Sequence, residues 1–141
     1  MIIADTSFWV ALINRKDSYN TQAQRALELV KEPLITTWPV ITETCYLLLN
    51  RVSNDAQAQF VKGIAAGKFQ GFELEAVQTL RISQLMEQYA DQPMELADAS
   101  LVVLAEHLGH GRILSADQRD FDTYRWKNRE PFENLMFSAR E

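Results

Sequence analysis

The sequence predicts a three-layer α/β/α fold around a central, mostly parallel sheet, and two observations lead there. Short apolar runs, Ile2-Ile3-Ala4, Leu34-Ile35-Thr36 and Ile113-Leu114, are separated by segments whose apolar residues recur at helical spacing. Parallel strands need long crossovers, usually helical, and are buried on both faces, so this alternation favours a parallel sheet. The second observation concerns how two of these strands end. Ile2-Ile3-Ala4-Asp5-Thr6-Ser7 and Ile113-Leu114-Ser115-Ala116-Asp117 both run into a small residue and then an aspartate. In open α/β sheets the ligand crevice lies outside the carboxyl ends of the strands, so Asp5 and Asp117 are expected to face one crevice.

The elements follow in order. After the first strand, Phe8, Trp9, Leu12 and Ile13 predict a helix over 7–13, broken by Asn14-Arg15-Lys16-Asp17-Ser18. A second helix over 20–31 carries Ala23, Ala26, Leu27 and Val30 as an i, i+3, i+4, i+7 stripe, and Pro33 lies just beyond it. The second strand, Leu34-Ile35-Thr36, leads to Thr37-Trp38-Pro39, a helix start with proline pre-set for the first turn. That helix spans 40–51, holds Glu43 in its opening turns, and contains Cys45-Tyr46-Leu47-Leu48-Leu49, which reads as a core face. Ser53-Asn54-Asp55 caps a helix over 56–66 that Gly67 closes. Gly71-Phe72-Glu73-Leu74 is the third strand, and Ile82, Leu85, Met86 and Tyr89 mark a helix ending near Ala90. Beyond Asp91-Gln92-Pro93, a long helix buries Leu101, Leu104, Ala105 and Leu108 and stops at Gly109, ahead of the strand with Ile113-Leu114.

With 141 residues and 47% hydrophobic composition, the chain suits one compact domain over 1–141. Its net charge of -5 opposes indiscriminate binding to a polyanion, so any nucleic acid must be held by a local basic patch or by bound metal. The single Cys45 cannot form an internal disulfide. No stretch approaches the roughly 18 apolar residues of a membrane span, and Met1-Ile2-Ile3 lacks a signal peptide's basic flank, so no membrane association and a reducing cytoplasm are expected.

Four carboxylates stand where strands end or helices begin: Asp5, Glu43, Asp98 and Asp117. Taken singly, each has a plain explanation as a cap or a solvated surface acid. Together they differ, because carboxylates converging with no Arg or Lys beside them in sequence are costly to desolvate and want a cation. Asp98 sits in the apolar, alanine-rich run Met94-Glu95-Leu96-Ala97-Asp98-Ala99-Ser100-Leu101, which strengthens the case. Oxygen ligands suit Mg²⁺ or Mn²⁺, and the two histidines, His107 and His110, lie past the far end of that helix. Asp5 and Asp98 are expected to bind the ion, with Glu43 and Asp117 completing the set directly or through water.

These segments carry a resemblance. Ile3-Ala4-Asp5-Thr6-Ser7 followed by Val10-Ala11-Leu12, then Ile41-Thr42-Glu43, Met94 through Ser100, and Ile113-Leu114-Ser115-Ala116-Asp117-Gln118-Arg119-Asp120-Phe121 occur in the order and spacing of the PIN-domain ribonucleases. Among these the chain most resembles the VapC-type toxins of toxin-antitoxin modules. The resemblance implies a PIN-like nuclease domain, a metal-dependent endoribonuclease, with Asp5, Glu43, Asp98 and Asp117 as its catalytic and metal-binding acids. Thr6, Ser7, Ser115 and Asp120 would support them. It also implies an antitoxin partner that masks the acidic site and a homodimer built on helices. Two departures stand out: Ser115 replaces the family's usual threonine and keeps the hydroxyl, and Asp17-Ser18-Tyr19-Asn20 lacks the histidine often found after the first helix.

For RNA, the candidate contacts are Arg119, Arg125, Lys127 and Arg129, with Tyr124 and Trp126 interleaved as stacking surfaces; the plainer reading, slightly favoured, is a solvated terminal segment that packs its aromatics onto the body. Two other classes compete. Phosphotransferases of the haloacid dehalogenase type need a second acid two residues after the first, and Ser7 occupies that place. The alternative that the same residues leave open is a catalytically inactive PIN-like module that binds protein or RNA.

Overall fold

The computed structural model describes residues 1–138. In chain order the elements are β1 (Ile2–Ala4), α1 (Thr6–Ile13), α2 (Asn20–Leu29), β2 (Leu34–Thr37), α3 (Trp38–Arg51), α4 (Asn54–Ala65), β3 (Phe69–Phe72), α5 (Ala76–Gln88), α6 (Leu96–Leu108), β4 (Arg112–Leu114), α7 (Gln118–Thr123), β5 (Arg125–Trp126), β6 (Glu130–Pro131), β7 (Glu133–Asn134) and α8 (Leu135–Ser138). Five strands form one sheet in the order β3-β2-β1-β4-β7, every neighbouring pair parallel, and β5 and β6 make a separate antiparallel pair. β1 is central, with Ile3 opposite Ile35 on one side and Ile113 on the other. All three of its residues are buried, as a strand covered on both faces requires.

Helices flank this sheet, and the most buried of them is α6. Ala97 and every residue from Ala99 to Ala105 are buried, so α6 is apolar around its circumference and runs through the core rather than over it. The four fully buried side chains of Leu101, Leu104, Ile113 and Leu114 each contribute about 1.5–3 kcal/mol of hydrophobic stabilisation. Gly109, at φ +80°, ends α6 in the left-handed conformation that a residue without Cβ adopts cheaply.

This topology decides where the acids go. Because β1, β2 and β4 are parallel, their carboxyl ends share one edge of the sheet. Asp5 follows β1, α3 with Glu43 follows β2, and Asp117 follows β4. α6 precedes β4 and runs back against it, so its first turn, with Asp98, starts at that same edge and Gly109 ends at the other.

Several expectations shift. α3 begins at Trp38, because Thr37 caps it by accepting the Val40 N–H (3.4 Å), which puts Glu43 in the second turn. β3 lies two residues earlier than expected, since Phe69 to Phe72 pair with Leu34 to Thr37. The Trp38 indole lies over Gly71, where a Cβ would come within 3.2 Å of it. Of the Cys45–Leu49 run only Leu48 is fully buried; Tyr46 (66% exposed) and Leu49 face solvent, as successive positions on a helix must turn through different directions. Leu27 is likewise exposed. The elements after β4 were not foreseen, because two-residue strands and short helices carry too little periodicity to read.

Candidate active site

The deepest-set acid is Asp5, 4% exposed. As N-cap of α1 its Oδ1 accepts the Thr6 N–H at 2.7 Å, and its Oδ2 accepts the hydroxyls of Ser7 (2.7 Å) and Ser115 (2.8 Å). The Ser7 oxygen in turn accepts the backbone N–H groups of Ala116 (2.9 Å) and Asp117 (3.2 Å), and Ser115 Oγ accepts that of Asp117 at 2.9 Å. The two serines thus clasp the loop after β4 onto the start of α1 and set Asp117 beside Asp5. Asn134 of β7 holds the backbone of Ser115 at both its N–H (3.2 Å) and its carbonyl (2.9 Å).

A second link fixes the helices. The Thr37 and Ser100 hydroxyls meet at 2.6 Å in a buried contact, and Ser100 also donates to the Ala97 carbonyl at 2.6 Å. The Thr37 proton therefore goes to Ser100, which ties the start of α3 to the first turns of α6 and so relates Glu43 to Asp98. Tyr124, 2% exposed and packed edge-on against Phe121 and Tyr89, donates its hydroxyl to Asp98 Oδ2 at 3.1 Å.

Asp5, Glu43, Asp98, Asp117 and Asp120 all line one cavity of about 560 Å³, together with Thr6, Ser7, Glu95, Asp17 and Arg51. Its volume suits a small-molecule or nucleotide site. The electrostatics are those of uncompensated negative charge. Burial raises the Asp5 carboxyl, against the lowering effect of its three hydrogen bonds, and Asp117 raises it further. Burial also raises Glu43; the Thr6 hydroxyl offsets part of this without closing a hydrogen bond, while Asp5 and Glu95 add to it. Asp98 is pushed up to about 8, by burial first and then by Asp5, with Tyr124 opposing. Asp120 rises to about 6 through burial and its contact with Asp117. Among the described residues no Lys or Arg forms an ion pair with any of these acids. Nor are any three acidic, histidine or cysteine side chains there gathered closely enough to grip an ion as they stand; the carboxylates line open walls. An all-oxygen donor set whose members each lack a counter-charge fits a hard divalent cation.

The other candidates lie differently. Arg119 is exposed on α7 between Asp117 and Asp120, and its charge lowers Asp120. The Arg125 guanidinium is engaged with the carbonyls of Asp122 (2.7 Å), Thr123 and Tyr124, closing the end of α7. Lys127 lies over the Trp126 ring, its backbone N–H donating to Glu106 of α6, and Arg129 pairs with Glu130. Glu106 is about 12 Å along α6 from Asp98, so this hairpin belongs to the far end of the helix. Tyr124 is buried and cannot stack on a base; its role is the bond to Asp98. Arg51 and Glu95 on the cavity wall were missed, although Arg51 stands two turns after Glu43 on one helix, a spacing readable from the sequence.

A PIN domain family model matches residues 2–127, which span all of these acids. The chain belongs to the PIN domain family. Ribonuclease VapC26 of Mycobacterium tuberculosis (strain ATCC 25618 / H37Rv) is similar to this PIN domain at 27% identity, over 88% of this chain and 92% of its own length. Among solved structures, the M. tuberculosis toxin VapC20, described as cleaving the sarcin-ricin loop, superposes with a TM-score of 0.79 at 21% identity, covering 84% of this chain and 92% of its own. The DNA-bound VapBC of Salmonella typhimurium gives a TM-score of 0.66 at 14% identity, covering 96% and 99%. These two likenesses establish the PIN fold for this chain. Among the described residues, no helix is long and apolar enough to cross a membrane.

Proposed function

We propose that this PIN domain is a cytoplasmic, divalent-metal-dependent endoribonuclease and the toxin of a toxin-antitoxin pair, working as a single domain. The observation that carries this is the convergence of Asp5, Glu43, Asp98 and Asp117 on one cavity with no Lys or Arg among the described residues in an ion pair with them. The likeness to a ribonuclease and to a toxin supports the substrate class.

Mg²⁺ or Mn²⁺ would be held by Asp5 and Asp98, with Glu43 and Asp117 completing the set directly or through water. When bound, such an ion supplies Lewis acidity toward water and phosphate oxygens. The protein's own share is orientation and proton exchange. Thr6, Ser7 and Ser115 hold both oxygens of Asp5, and Tyr124 holds one oxygen of Asp98, so that the other would be available to the ion. Asp120, ionising near 6, is suited to exchange a proton at neutral pH. Arg119, whose charge lowers Asp120, would contact a phosphate.

The partners follow the same reasoning. An antitoxin that inserts an Arg or Lys among the carboxylates would satisfy their charge. Exposed Tyr46 and Leu49 on α3 and Val77 and Leu80 on α5 supply apolar surface for a homodimer.

The test is cleavage of a fluorophore-quencher RNA by the purified protein. Activity is expected with Mg²⁺ or Mn²⁺, none with chelator, and none for Asp5→Asn shown to be folded by circular dichroism. A folded Asp5→Asn that cleaves at the parent rate sinks the proposal, and RNA binding without cleavage by the parent favours the inactive module.

A further inference from the structure

Arg51 is the one basic side chain lining the acidic cavity among the described residues. It sits in the last turn of α3, exposed, and shares a helix face with Glu43 and Leu47 at four-residue intervals, all three on the cavity wall. No carboxylate among the described residues pairs with it, although seven acids line the same cavity. A guanidinium left open toward a site that receives a polyanion has an evident ligand, because its planar fork matches the non-bridging oxygens of a phosphodiester. The chain's charge of -5 leaves the approach of RNA to local cations such as this one and to bound metal.

We propose that Arg51 binds a backbone phosphate of the RNA next to the one being cut, and so sets the register of the strand across the carboxylates. The eight residues from Glu43 to Arg51 span about 12 Å of helix, which separates the phosphate it holds from the scissile one. This rests on the nuclease reading above. Arg51 also complements the dipole at the end of α3, a role that affects stability alone.

The experiment compares parent, Arg51→Ala and Arg51→Lys in cleaving a short fluorescent RNA with Mn²⁺ over a range of salt, with thermal melts confirming that each is folded. Arg51→Ala is expected to raise KM about tenfold, the equivalent of one charge-assisted hydrogen bond, with kcat within about twofold. Its plot of log(kcat/KM) against log[salt] should be shallower by about 0.7, the value for one phosphate on a single strand. Arg51→Lys should recover part of the KM and the full slope, since it keeps the charge and loses the fork. If the parent cleaves and Arg51→Ala matches it in KM and salt slope, the Arg51 assignment is overturned and the nuclease reading stands. If the parent cleaves no RNA with Mg²⁺ or Mn²⁺, both are overturned.

Discussion

Replacing Asp98 by asparagine should stabilise the metal-free protein while removing its activity. In the unfolded chain this aspartate ionises near 3.8 and is charged at pH 7, whereas in the fold it ionises only near 8. At about 1.36 kcal/mol per pH unit, the roughly three units between 3.8 and 7 bound the loss on folding at about 4 kcal/mol. Water in the open cavity screens part of this, so about 2 kcal/mol is expected, or about 4–8 °C in Tm for a chain of this size. Because the folded value is raised, the carboxyl favours the fold fully below about pH 4, and that contribution is lost as pH climbs through about 8. The advantage of Asp98→Asn over the parent must therefore widen from pH 5 to pH 8. Asparagine keeps a carbonyl for the Tyr124 hydroxyl, so packing is unchanged. The assay is thermal unfolding in chelator at both pH values, repeated with excess Mn²⁺, which should raise the Tm of the parent and leave the variant in place. An Asp98→Asn protein that melts at or below the parent at pH 8 in chelator refutes the claim that this carboxylate is buried without its counter-charge.

Other perturbations test the supports of the acids. Ser7→Ala removes one donor to Asp5 and strands the N–H of Ala116, while that of Asp117 keeps Ser115 Oγ, so urea denaturation should show a loss of about 1–3 kcal/mol. Tyr124→Phe deletes only the hydroxyl bond to Asp98; calorimetric titration should find Mn²⁺ binding weakened about tenfold, with Tm lowered by no more than a few degrees.

Much of the site was legible in the sequence, for reasons of chain geometry. Asp5 and Asp117 could be placed together because each directly follows an apolar strand, and parallel strands end on a common edge. Asp98, which alone could be a helix-start acid, stood out beside the other three because it lies in an apolar, alanine-rich helix. The supporting network was not readable to the same depth. Ser7 and Ser115 were recognised only as hydroxyls near an acid, since nothing in 108 residues of separation tells which backbone N–H groups each will accept. Tyr124 could be read either as a stacking surface or as an aromatic packed onto the body, because burial depends on what packs over a side chain and not on its neighbours in sequence. The contacts of the basic run near the C-terminus were unreadable for the same reason, its arginine at 125 closing a helix end and its lysine at 127 lying over a tryptophan.

By itself, then, the order of apolar runs and acids determined a parallel α/β protein with a carboxylate crevice at one edge of its sheet, because strand alternation and helix periodicity are local properties. Only the tertiary structure decided that these acids share a single cavity, that among the described residues no Lys or Arg forms an ion pair with them, and that Arg51 stands open on its wall. Those facts depend on distances between residues remote along the chain, and through them on the buried hydroxyl contacts that lock β1, β4, α3 and α6 in place.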